Sequence, residues 1–118
     1  MTSEDRQIIS AVKDRLFSQG WGKIGWGPEG VHKMGGLCLI AHVYSYLTET
    51  NRCEKSAYIC GLISEEIGLG WSIDIAWWND HKDRTLEDVI DVLDRLLTKD
   101  EQKKEVREEV LVSTTSNR

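Results

Sequence analysis

Cys38 and His42 are the two side chains best suited to nucleophilic chemistry in this 118-residue sequence. They lie four residues apart in the apolar run "LCLIAHVYSYLTE", so on a helix they would share one face. A thiol at a helix N-terminus can have a lowered pKa, and a neighbouring imidazole can accept its proton. Asn79 or Asp80 would then orient the imidazole. Cysteine in such an apolar run more often acts as a small hydrophobic residue, so a cysteine-dependent enzyme remains the alternative interpretation.

The glycine-rich segment 20–36 and the histidines offer weaker indications of chemistry. Gly20-x-Gly22-x-x-Gly25 matches the dinucleotide-binding pattern, but that pattern requires a strand before it and a helix after it. Here a helix is expected before it and Pro28 follows it, so the segment is interpreted as a tight loop. The three cysteines and three histidines have none of the spacings typical of metal ligands. We predict neither a metal site nor a cofactor.

The stretch "WWNDHKDRT" holds the polar residues that are expected to enter the last helix. Asn79 and Asp80 favour a turn because their side chains bond to nearby backbone N–H groups. Arg84 can reach a carbonyl or a carboxylate of the loop. Thr85 and Asp88 have the spacing of a capping box, with Asp in the place of Glu. Turn and cap chemistry therefore accounts for most of this stretch.

Trp77 and Trp78 point in different directions in any regular conformation, so at most one is expected to be fully buried. An exposed tryptophan is typical of an interface anchor. The sequence therefore favours a contact surface for another protein, built from this stretch and the glycine-tryptophan loop. A pocket lined by tryptophans for a small ligand is a further alternative. The candidate binding residues are Trp21, Trp26, Trp77, Trp78, Asn79, Asp80 and Arg84.

The last helix carries four carboxylates, Glu87, Asp88, Asp91 and Asp94, opposite its apolar stripe. They are interpreted as a solvated face. An acidic face can also mimic a nucleic-acid backbone and block a protein that binds one, but the Lys and Arg residues among the carboxylates weaken that hypothesis.

Composition sets the broad class of the protein. The formal net charge is -5, whereas direct nucleic-acid binding usually requires a basic stripe. The apolar runs are far shorter than a membrane span, and the polar N-terminus does not resemble a signal peptide. The odd number of cysteines fits a reducing compartment. We expect a cytoplasmic protein that binds neither nucleic acid nor membrane.

Hydrophobic periodicity predicts a mainly α fold, a compact bundle of about four helices. The helices are expected at 3–19, 37–49, about 53–67 and from 85 onward. Segment 20–36 is expected to form a small β-hairpin or an ordered loop, and "WSIDIAWW" an extended piece. Residues 1–98 are predicted to be one domain, and 99–118 a charged extension whose helix continues before a disordered end.

The caps and the core follow from the same pattern. Thr2 or Ser3 is expected to cap the first helix, Asn51 and Glu54 to form a capping box, and Gly68 to end the third helix. Phe17 is expected on the apolar stripe of the first helix. The predicted core comprises Ile9, Val12, Leu16, Leu39, Ile40, Val43, Leu47, Ile59, Ile63, Ile67, Val89, Ile90, Leu93 and Leu97.

One combination of residues resembles a known family. Trp78-Asn79-Asp80, a spacer of three, Arg84-Thr85 and the helix "EDVIDVLDRL" resemble the closing motif of a family of short bacterial and bacteriophage proteins of unknown function. The resemblance covers about residues 5–97. It implies a compact helical cytoplasmic domain, often encoded by phages or mobile elements, and it implies no reaction.

Two other segments resemble the same family in the same order. Gly20-Trp21 follows the first helix, and Cys38 begins a segment in which the family has Cys-Leu-Ile-Gly-Ala. His42 departs from that pattern, which weakens the Cys-His hypothesis. The leading prediction is a small non-enzymatic interaction or regulatory protein that modulates a host protein, with a homodimer possible.

Overall fold

The structure is a computed structural model that describes residues 1–22, 37–69, 74–99 and 101. Within these residues the chain is mainly α, as predicted. Five α-helices and one short 3₁₀ turn account for most of the described backbone. They are α1 (Ser3–Gln19), α2 (Leu39–Glu49), the 3₁₀ turn (Cys53–Lys55), α3 (Ser56–Ile67), α4 (Asp74–Asp80) and α5 (86–99).

The first helix begins at the predicted cap. The Thr2 hydroxyl accepts a hydrogen bond from the Asp5 N–H at 3.1 Å, and the Asp5 carboxylate accepts one from the Thr2 N–H at 2.9 Å. The predicted position of Phe17 on the buried stripe is wrong, because its side chain is 61% exposed. Phe17 lies above Lys13, one turn earlier, and so it falls beside the buried row rather than in it.

Asp5 also ties the start of α1 to the start of α3. Its buried carboxylate lies 2.7 Å from Lys55 Nζ. Burial raises the pKa of the Asp5 carboxyl, but the hydrogen bonds from Lys55 and Thr2 outweigh it and leave the pKa below its ordinary value. The two helices are therefore held at one end by a charged contact.

The connection from α2 to α3 differs from the prediction. Asn51 adopts a left-handed conformation with φ 56°, and the 3₁₀ turn follows it. Within the described part of the chain, no side-chain cap bond forms at Arg52 or at Lys55, the residues before the 3₁₀ turn and before α3. The expected capping box of Asn51 and Glu54 is therefore replaced by this tight turn. The end of α3 is as predicted, since Gly68 is left-handed with φ 93°.

The segment that was expected to be extended forms α4 instead. Its seven residues bury Ile75 and Asn79 on one side and expose Trp77 on the other. Ile75, Trp78 and Asn79 have the i, i+3, i+4 spacing of a helix face, and Trp78 packs against the core. The β-branched and aromatic residues favour a strand only weakly, and tertiary packing overrides that preference.

The predicted hairpin is not confirmed. Residues 23–36 lie outside the described residues, as do 102–118, on which the predicted disordered end falls. At the described flanks, Trp21 and Leu37 form an isolated parallel bridge, with Gly22 N–H donating to Leu37 O at 3.1 Å. Within the described ranges there is no β-strand. Gly20, which follows α1, has a positive φ of 88°, but its ψ of 155° is not left-handed helical.

The core is centred on α2, which contacts α1, α3 and α4. Most of the predicted core residues are buried, but Ile40, Ile67 and Leu97 are only partly so. The buried hydrophobic residues are Ile8, Ile9, Val12, Leu16, Trp21, Cys38, Leu39, Val43, Leu47, Ile59, Cys60, Ile63, Ile75, Val89, Ile90, Val92, Leu93 and Leu96.

Candidate functional site

Asn79 is a fully buried polar side chain at the end of α4. Its Oδ1 accepts hydrogen bonds from Trp21 Nε1 at 2.6 Å and from the Leu39 N–H at 3.1 Å. Its Nδ2 donates to Gly22 O and to Asp80 Oδ1, both at 3.0 Å. A carboxamide has two donor hydrogens and two acceptor lone pairs, so its hydrogen-bonding capacity is fully used. The single side chain joins the segment after α1, the start of α2 and the end of α4.

Trp21 and Asn79, both expected on a contact surface, lie inside the fold. Turn-type bonding to nearby backbone was the expected role of Asn79, whereas most of its partners are 40 to 58 residues away. The interior accepts a carboxamide at low cost only when all its polar atoms are paired. The candidate surface is therefore smaller than predicted.

Arg84 fixes the loop that follows α4. Its Nε donates to Trp78 O at 2.8 Å, and its guanidinium lies 4.0 Å from the centroid of the Trp78 ring. Arg84 was expected to reach a carbonyl or a carboxylate of the loop, and the carbonyl that it reaches belongs to Trp78 in α4 instead. Trp78 is partly buried against the core beneath this cation. Of the two adjacent tryptophans, Trp78 is the one that covers the core.

The entry to α5 has the predicted capping box. Thr85 N–H donates to Asp88 Oδ2 at 3.0 Å, and Asp88 N–H donates to Thr85 Oγ1 at 3.2 Å. Together with Arg84, this cap sets the direction in which α5 leaves the loop. The polar part of the motif is therefore explained by structure alone.

Trp77 is the predicted binding residue that the structure exposes most. Its side chain is 71% exposed, and it lines a shallow depression of about 380 Å³ with Asp80, His81 and Lys82. We call these four residues the Trp77 surface. Trp26, the remaining tryptophan of the predicted set, lies outside the described residues.

His42 is wholly buried and bound to the segment after α1. Its Nε2 lies 2.7 Å from Gly20 O, and its buried Nδ1 has no hydrogen-bond partner among the residues that the structure describes. Burial lowers the pKa of the His42 imidazole, the bond to Gly20 raises it, and the nearby charge of Arg15 lowers it, so the net pKa is below its ordinary value. A neutral imidazole that donates from Nε2 satisfies this geometry.

These contacts disfavour a Cys-His-Asn arrangement. Cys38 is the N-cap residue of α2 and is buried. The Nε2 of His42 is engaged by Gly20 O, and the amide of Asn79 is bonded to other partners. Neither ring position of His42 is oriented by Asn79, as the proposed arrangement requires. Cys53 and Cys60 are free thiols as well, Cys53 exposed and Cys60 buried.

Sequence reasoning missed the contacts from Gly20, Trp21 and Gly22 to α2 and α4. The signal available was a polar residue, Asn79, at helical spacing from Ile75 and beside Trp78. That pattern is recognised only when the segment is taken as a helix.

Among the described residues, no group of three His, Cys, Asp or Glu side chains is placed to hold a metal ion. No helix in the same ranges is long and apolar enough to cross a membrane.

The sequence matches one known protein family over most of its length. Residues 1–98 match DUF6197, a family of unknown function, and the chain belongs to that family. No curated protein and no solved structure matches it.

The burial of His42 predicts that stability depends on pH near neutrality. Because its folded pKa lies below the ordinary value of 6.5, the unfolded chain binds the proton first. This contribution to stability is complete above that value and is lost as the pH falls through it. The free energy of unfolding, measured in urea, should fall between about pH 7.5 and about pH 5.

Two variants assign this pH dependence. His42→Gln keeps an N–H for Gly20 O but cannot titrate, so its free energy of unfolding should fall less over the same interval. His81→Gln, the same substitution at an exposed histidine, is the control for the chemical change from His to Gln itself. An unchanged slope in His42→Gln contradicts the buried neutral imidazole.

Proposed function

We propose that this DUF6197 protein is a small non-enzymatic interaction protein that binds and modulates a host protein through the Trp77 surface. The observation that carries the proposal is the indole of Trp77, which is 71% exposed on a helix whose opposite side is buried. A large aromatic side chain that is mostly exposed at the surface is typical of an interface anchor.

The backbone beneath Trp77 is well anchored, which favours binding. Ile75 is fully buried two residues before it, and Asn79 is held by its hydrogen bonds two residues after it. A side chain on an anchored helix loses less conformational entropy on binding than one on a flexible loop. The geometry therefore favours recognition of a partner with a preformed apolar pocket.

The rim of the Trp77 surface carries charges of both signs. Asp80 lies on one side, and His81 and Lys82 continue the chain beyond the helix. A mixed polar rim around one aromatic anchor is the common arrangement in transient interfaces. Charge on the partner would then set orientation and association rate more than affinity.

The proposal also covers the compartment, the origin of the protein and the class of its partner. We infer a cytoplasmic protein of phage or mobile-element origin, supported by the resemblance of Trp78-Asn79-Asp80 and Arg84-Thr85 to a motif of such proteins. A net charge of -5 supports a protein partner over a nucleic acid. A second copy of the chain is the competing occupant of the Trp77 surface.

The two alternative functions receive less support from the described residues. A tryptophan-lined ligand pocket would need Trp21 to face a cavity, but its indole N–H is bonded to Asn79 inside the core. A cysteine enzyme would need an accessible Cys38, and Cys38 is buried.

The first prediction of this proposal concerns capture of a partner. Immobilised Trp77→Ala should capture the partner from host lysate about tenfold more weakly than the immobilised wild type does, because the interface loses its anchor. The measurement is quantitative mass spectrometry of the captured proteins. Circular dichroism should show an unchanged fold.

Tyr58→Ala is the matched control, since Tyr58 is also an exposed aromatic residue on a helix, 50% exposed. It should capture the partner as the wild type does. Equal capture by Trp77→Ala and wild type refutes the assignment of this surface. Sedimentation of the purified protein separates a self-associating chain from one that needs a host partner.

The second prediction concerns thiol reactivity. With a disulfide reagent, the native protein should show one fast thiol, Cys53, and two slow thiols, Cys38 and Cys60, because only Cys53 is exposed. Burial also raises the pKa of the Cys60 thiol, although its bond to Tyr44 lowers it. Cys53→Ser should abolish the fast phase. A thiol that reacts fast at pH 6 in Cys53→Ser would instead support the alternative of a cysteine-dependent enzyme.

A further inference from the structure

A second surface feature lies between α1 and the first turns of α5. It is an open groove of about 620 Å³, and we call it the α5 groove. It is separate from the Trp77 surface, which ends at Lys82. The residues that line it are Phe17, Thr85, Leu86, Glu87, Ile90, Asp91 and Asp94.

The floor of the α5 groove is apolar. Leu86 and Ile90 are one turn apart on α5 and pack on the core, Ile90 almost completely buried. Phe17 contributes its ring from α1 and is 61% exposed. An exposed phenyl ring beside two aliphatic side chains forms a contiguous apolar patch, which marks a contact surface more often than a single exposed apolar residue does. The floor therefore offers an apolar contact to a partner.

The rim of the α5 groove is acidic. Glu87, Asp91 and Asp94 follow one another at spacings of four and three, which puts them along one side of the helix. Of the described residues that line the groove, none carries a positive charge. The distance from Glu87 to Asp94 along the axis is about 10 Å, or two helical turns.

Neighbouring cations compensate this charge only in part. Lys13 Nζ lies 2.6 Å from Asp94 Oδ1. Arg95 lies 3.4 Å from Asp91, but it is also bound at 3.3 Å to the nearly buried Glu66. Asp91 remains 63% exposed. A cation supplied by a partner would therefore meet an incompletely neutralised rim.

We propose that the α5 groove binds a basic amphipathic helix of a partner protein. Apolar side chains of that helix lie on Phe17, Leu86 and Ile90, and its Lys or Arg side chains face Glu87 and Asp91. Two helical turns of the partner match the length of the acidic rim, which is the geometry of a helix laid in a groove. The proposal does not depend on the Trp77 surface.

The probe is a synthetic, fluorescently labelled amphipathic helix of Leu and Lys, about 18 residues long so that it forms a stable helix. A peptide with Glu in place of each Lys is the reference. Fluorescence anisotropy of the full chain with each peptide should show binding of the Leu/Lys peptide and at least about tenfold weaker binding of the Leu/Glu peptide. Added salt should weaken the Leu/Lys complex.

Variants locate the binding site. Phe17→Ala and the double variant Glu87→Gln/Asp91→Asn should each weaken binding of the Leu/Lys peptide by about tenfold, through loss of the apolar anchor and of the rim charge. Tyr58→Ala and Glu65→Gln, exposed residues of α3 outside the groove, are the matched controls and should bind like the wild type. Trp77→Ala should also bind like the wild type, which separates this proposal from the Trp77 surface.

Several results would overturn the proposal. They are no binding of the Leu/Lys peptide, equal binding of both peptides, or equal losses in groove and control variants, which would indicate diffuse charge attraction. Should Phe17→Ala unfold, the double variant decides, because it alters only carboxylates at the surface. Failure here leaves partner capture through Trp77 unaffected, so the two proposals fail independently.

Discussion

The carboxamide of Asn79 is the interaction on which the described structure depends. It is buried with all four of its hydrogen bonds made, to Trp21, Leu39, Gly22 and Asp80. In a low-dielectric interior these bonds are strong, and their loss destabilises the fold correspondingly. One side chain thus fixes where three distant parts of the chain meet.

The features of the surface follow from this constraint. Because Asn79 faces inward, helical spacing turns Trp77 outward and leaves Trp78 at the edge of the core. Arg84 then covers Trp78 and binds its carbonyl oxygen, and the Thr85 cap starts α5. The position of α5 beside Phe17 of α1 in turn forms the α5 groove. Both proposed contact surfaces are consequences of how α4 is anchored.

Some of this was predictable from the sequence for clear physical reasons. The long helices α1 and α5 repeat apolar residues at a regular spacing, and Thr2, Gly68 and Thr85 have the chemistry of helix ends. Such local signals need no knowledge of the tertiary structure. The same pattern identified most of the buried residues.

Other features depend on contacts that no local pattern records. The helix α4 has only seven residues, too few for periodicity to outweigh its β-branched and aromatic composition. Asn79 and Trp21 are 58 residues apart in sequence, so their bond is visible only in the fold. Phe17 is apolar and adjacent to the buried stripe, and whether its ring is covered depends on what packs against that edge of α1.

Equilibrium unfolding of Asn79→Ala in urea tests the central claim most directly. The substitution removes the acceptor of Trp21 Nε1 and of the Leu39 N–H, and the donor to Gly22 O. At about 1 to 3 kcal/mol for each buried group that loses its partner, the free energy of unfolding should fall by about 3 kcal/mol or more. Asp80→Ala, at the fourth partner, should cost about a third as much, because it leaves one buried donor without its partner rather than three buried groups. A change in Asn79→Ala no larger than that of Asp80→Ala would contradict the account.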